Sequence, residues 1–91
     1  MPYNLALSQS LRQAGWKVKI YDFERLEPPH VTILCKDRAW RLSLRSRGFL
    51  DRDARWSQIH EDVKTRIENS WDDLCAEWDR MHSENPVSSE N

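Results

Sequence analysis

Ninety-one residues with a net charge of −1, 38% apolar residues and a mean hydropathy of −0.85 describe a chain of one domain's length with a modest core. No apolar run approaches the ~18 residues a membrane helix needs, and no charged-then-apolar leader opens the chain. The expectation is a cytoplasmic protein without a membrane partner. Cys35 and Cys75 stand forty residues apart with no second pair, so they read as reduced thiols rather than a disulfide framework.

The charge is unevenly placed. Residues 1–56 hold 11 basic against 6 acidic side chains and residues 57–91 hold 3 against 9, which gives halves of +5 and −6. Either the halves offset one another within the fold, or the first offers a basic face to an anion. Five tryptophans supply large apolar anchors for a small core, each able to bury roughly 150–250 Å².

In chain order, Asn4 is a candidate cap for a short helix to Ala14, with Leu7, Leu11 and Ala14 at helical spacing and Gly15 past its end. From Trp16 the period becomes two. Trp16, Val18 and Ile20 share one side and Lys17, Lys19 and Tyr21 the other. Residues 24–29 form a polar connection that Pro28-Pro29 closes and stiffens. A second strand follows, with Val31, Ile33 and Cys35 opposite His30, Thr32 and Leu34. Lys36-Asp37-Arg38 is a turn of hairpin length. The third strand sets Trp40, Leu42 and Leu44 against Arg41, Ser43, Arg45 and Arg47, and Gly48 ends it.

Beyond Ser57 the period is helical, through Ile59, Val63, Ile67, Trp71, Leu74, Trp78 and Met81. Trp56 is placed to staple the first turn. Ser70 followed by Asp73 resembles a capping box, which leaves open one long helix or a pair meeting near Ser70. The segment 83–91 reads as a flexible tail after a single domain of residues 1–82. The fold class is therefore α+β: a helix, a three-stranded antiparallel meander, then a long amphipathic C-terminal helix or helix pair packed on one sheet face.

The uncovered face then carries Lys17, Lys19 and Tyr21, His30, Thr32 and Leu34, and Arg41, Ser43, Arg45 and Arg47. Residues two apart on a strand lie about 6.6 Å apart, near the spacing of successive phosphates, and arginine binds phosphate through two parallel hydrogen bonds. Tyr21 is a stacking platform for a base. His30 can exchange protons near neutral pH. Beside cations it would serve as general base on a ribose 2′-hydroxyl without a metal. The cysteines and histidines lack zinc-site spacing, so no metal or cofactor is expected. His60 and His82, in the acidic C-terminal region, read as surface groups.

Two resemblances follow from these residues. Leu11-Arg12-Gln13-Ala14-Gly15-Trp16, a strand, and a histidine leading the next strand resemble the HicA group of small bacterial toxins. That likeness implies a double-stranded-RNA-binding-domain-like fold and a ribonuclease with His30 catalytic and the lysines and arginines as phosphate contacts. This chain has Pro28-Pro29 where those toxins carry a glycine and a small polar residue. The start Pro28-Pro29-His30-Val31 also resembles small bacterial proteins of toxin–antitoxin-like loci, some of them encoded beside a small partner or inhibitor protein. The leading expectation is an RNA-binding protein, with metal-independent ribonuclease activity as an option left open. The alternative is a non-catalytic module that binds a partner protein through its acidic helix and tryptophans. Basic and acidic halves also permit self-association into a homo-oligomer.

Overall fold

Alternating apolar residues in three segments make a sheet with one wet and one dry face, and the helical stripe after Ser57 supplies what covers the dry one. A computed structural model describes residues 2–22 and 27–88. It holds an antiparallel meander of four strands, not three: β1 (Tyr3–Asn4), β2 (Trp16–Ile20), β3 (His30–Cys35) and β4 (Arg38–Ser43), neighbours in that order. The added strand is two residues long, too short to show an alternation, and is set by the pairs Tyr3↔Ile20 and Asn4↔Lys19. The Leu5 N–H extends that ladder by donating to the Val18 carbonyl at 2.9 Å.

Asn4 is thus a strand residue, and the first helix starts later than its sequence suggests. Helix α1 (Gln9–Gln13) is capped by Ser8, whose hydroxyl accepts from the Leu11 N–H at 3.4 Å. Gly15 reverses the chain into β2 with a φ of 97°, and a Cβ there would lie 3.3 Å from the Lys36 side chain.

The β3–β4 hairpin turns on Lys36-Asp37 and registers Ile33 with Trp40 and Val31 with Leu42. Strand β4 stops at Ser43, short of the expected Arg47. The Ser43 hydroxyl accepts the N–H groups of Arg45 and Ser46, both at 3.2 Å, and this local turn competes with the ladder. Arg47 adopts a left-handed φ of 63° and the chain doubles back, with Phe49 bridging Leu42 and the Leu50 N–H donating to Arg41 at 2.8 Å.

After a single 3-10 turn at Trp56–Gln58 come α2 (Glu61–Asn69) and α3 (Trp71–Met81), so the C-terminal stripe is a helix pair broken at Ser70. The capping box does not form. Ser70 makes no side-chain cap, and its hydroxyl instead accepts from the Arg66 guanidinium one turn back. His60 caps α2 through Nδ1, which accepts from the Asp62 N–H at 3.0 Å. Trp56 packs edge-on against Phe49, with the Lys64 ammonium of α2 over its ring.

The stripe survives the break because Ile59, Val63, Ile67, Leu74 and Trp78 all stay buried. They form one core with Val18, Ile20, Val31, Ile33, Trp40 and Leu42 of the sheet and Leu5, Leu7 and Leu11 of the N-terminal segment. No helix among the described residues is long and apolar enough to cross a membrane. Residues 24–26 of the expected polar connection, and 89–91 of the expected tail, lie outside the described residues.

Candidate functional site

The alternation read from the sequence places the sheet faces as expected along β2 and the middle of β3. The pairs Lys17↔Leu34, Lys19↔Thr32 and Thr32↔Arg41 set those side chains on the face away from the helices. Tyr21 lies one residue past β2, with the Lys19 ammonium 5.9 Å from its ring centre.

His30 is a different case. By register it pairs with Ser43, yet it is only 1% exposed and its ring packs 5.5 Å from that of Trp78 on α3. Its Nδ1–H donates to the Pro28 carbonyl at 2.8 Å, a local bond that the rigid Pro28-Pro29 entry sets up. The other side of Trp78 meets His82 at 4.0 Å, and the indole N–H donates to the Asn85 carbonyl at 2.7 Å. His82, expected on the surface, is 2% exposed, and its Nε2–H donates to the Tyr21 carbonyl at 2.8 Å. The signal for that burial was in the sequence: His82 follows Trp78 by four residues and completes the apolar stripe. The imidazole of His30 is thus closed off from solvent between the Pro28-Pro29 entry and Trp78.

The three arginines scatter. Arg41 alone keeps to the sheet, and it is paired: its guanidinium donates to Asp51 at 2.9 and 3.1 Å and to Glu27 at 3.0 Å. Asp51 also accepts the Arg41 backbone N–H at 2.7 Å. Burial alone would push the Asp51 carboxyl up. The hydrogen bonds and charge of Arg41 outweigh that and hold it below the usual carboxylate range. The bond to Asp51 in turn raises the Arg41 guanidinium, against the opposing effect of burial.

Arg45 lies in the turn after β4 and reaches the C-terminal segment. It donates to the Asn85 side chain at 3.1 Å and to the carbonyls of Pro86 at 2.8 Å and Val87 at 3.2 Å. The Asn85 amide donates to the Glu27 carbonyl and the Val87 N–H to Asp79, both at 2.7 Å. Residues 85–87 of the expected loose tail are therefore tied across the entrance to β3. Arg47 crosses to the helix side and lies 4.6 Å over the ring of Trp71. Strand alternation puts both arginines on the open face only if β4 continues past Ser43, where it ends.

A groove lies at the other edge of the sheet. Arg12, Lys17 and Lys19 surround this space of about 420 Å³ between the 4–7 segment, α1 and β2. The acidic side chains Glu61, Asp62, Glu68, Asp72 and Asp73 of the helix pair are all exposed. Cys75 is half-buried, and burial, then Asp79 and Asp72, push its thiol up, so it stays protonated at neutral pH. Among the described residues no three of His, Cys, Asp and Glu gather as a metal site.

Fold and surface together define a small α+β protein, a four-stranded meander with one helix-covered face and charge divided between two surfaces. The chain matches no family model, no curated protein and no solved structure.

Proposed function

We propose that this chain is a non-catalytic interaction module that binds a partner protein through its acidic helix pair. The burial of His30 beneath Trp78 carries the reading, because it withdraws from solvent the histidine that the sequence offers as general base. Engagement of Arg41, Arg45 and Arg47 with protein groups further lowers the phosphate-binding capacity expected of the sheet. The exposed acids of α2 and α3, beside a half-buried Trp71, supply the charged rim and aromatic anchor that protein interfaces favour.

The test has two arms. Total bacterial RNA incubated with the protein in EDTA is expected to stay intact. Cleavage that disappears in a His30→Ala variant of equal stability would replace this reading with the ribonuclease one. In the second arm the protein and a Glu68→Lys/Asp72→Lys variant are used as affinity baits. A partner held by the first and lost from the second is the expected result. A partner held equally by both would place the interface elsewhere.

A further inference from the structure

The groove at the β1–β2 edge combines three properties. Its floor is apolar, made by the half-buried Trp16 and the edges of the core residues Leu5, Leu7 and Val18, which are 5, 9 and 1% exposed. Its rim is cationic, made by Arg12, Lys17 and Lys19. No acidic residue lines it, and none occurs in the sequence before Asp22. Among the described residues neither Arg12 nor Lys17 forms an ion pair, and Lys19 meets only the Tyr21 ring.

The walls are held in place. Ala6, on one side, accepts a hydrogen bond from Arg66 of α2 at 2.8 Å. Trp16, at the floor, stacks on Trp40 with ring centres 5.8 Å apart and meets the edge of His60. The groove exists because the chain leaves β1 at once: pairing to β2 covers Lys19 and Ile20 and, through one further bond, Val18. Beyond that point the start of β2 faces α1 across an open channel.

We infer that this groove binds an acidic segment of a partner protein, with two or three apolar side chains on the floor and carboxylates against Arg12, Lys17 and Lys19. Charge complementarity chooses the sign of the occupant. The apolar floor chooses a peptide over a nucleic acid. Single-stranded nucleic acid is held by stacking bases on free aromatic faces along a long cationic track, and here Trp16 already has one face on Trp40 while only three cations line the rim. A volume of about 420 Å³ accommodates a few side chains, not a folded element. The groove adjoins α2, yet no acid of the helix pair lines it, and the experiment below uses variants of the groove alone.

The probe is a fluorescein-labelled heptapeptide, Glu-Glu-Leu-Glu-Leu-Glu-Glu, followed by anisotropy at about 50 mM salt, where electrostatic reach exceeds ~10 Å. Saturable binding is expected, weakened about tenfold by Lys17→Glu/Lys19→Glu and, independently, by Arg12→Glu, each with a wild-type circular dichroism spectrum. Replacing the leucines by serine, or the glutamates by lysine, is expected to abolish binding. Failure of the glutamate–leucine peptide to bind overturns the inference, as does equal binding by the lysine peptide. Tighter binding of a uridine ten-mer would reassign the groove to nucleic acid. A dimer of this chain that the peptide dissociates would give the groove to a second copy and overturn the assignment to a foreign partner.

Discussion

Arg41, Arg45 and Arg47 each end on a protein group, whereas Arg12, Lys17 and Lys19 end at a groove rim without an ion pair among the described residues. Both sets are basic residues at close spacing in or beside a strand. They differ in what the chain brings back to them. Glu27, Asp51, Trp71 and the carbonyls of 85–87 all converge on the β4 side from distant parts of the sequence. At the β2 edge the returning elements are α1, which carries a cation of its own at Arg12, and α2 with its cap, which meets Trp16 and Ala6 through His60 and Arg66 and brings no acid to the groove. Basic composition measures charge present in a segment. Availability depends on whether acids and carbonyls fold onto it.

The largest expected effect is at the centre of the covered side. Trp78→Ala removes a fully buried indole together with its bond to Asn85 and its contacts with both histidines. The expected loss is about 3–5 kcal/mol, read by urea denaturation, and would leave the chain near its stability limit. A loss below about 1 kcal/mol would mean that this side is far less tightly closed than the packing implies.

Asp51→Ala frees Arg41 and strips an acceptor from its backbone N–H, for an expected cost of about 1–2 kcal/mol after allowing for partial exposure of the pair. The same pair carries a pH dependence. Because the folded Asp51 carboxyl sits below its ordinary range, its contribution is complete above the unfolded value of about 3.9 and is lost as pH falls through the folded one. The stability gap between wild type and Asp51→Asn should therefore narrow on acidification below about pH 4. A gap that widens there would contradict the assignment of Asp51 as the charged partner of Arg41.

Arg45→Ala is expected to cost about 1 kcal/mol globally and to raise amide exchange at Val87, whose N–H is held by Asp79 in the segment that Arg45 secures. Unchanged exchange there would show that Trp78 and Asn85 alone hold the segment. The smallest effect sharpens the contrast from the other side. Lys17→Ala should leave stability within about ±0.5 kcal/mol, since no ion pair or hydrogen bond is lost among the described residues. A larger loss would mean that the β2 cations are structural after all.

The period-two and period-3.6 patterns by themselves determined most of the secondary structure. They set the α+β class, the facing of Val18, Ile33 and Trp40, and the stripe from Ile59 to Trp78, because burial demands those spacings wherever the elements settle. The break at Ser70 was legible as an option, since a cap-like residue inside a helical stripe offers the chain two continuations.

Tertiary structure alone decided the rest. Two residues of β1 become a strand only because Ile20 and Lys19 are there to pair with them. Arg45 and Arg47 left the sheet because the Ser43 hydroxyl closed a turn on them, a contest between local hydrogen bonds that alternation cannot register. His30 is a buried neighbour of Trp78 because a helix and a terminal segment more than forty residues away close over it. Periodicity records which side of an element is dry. Which charges meet a partner, and which are left for another molecule, depends on contacts between segments far apart in the chain.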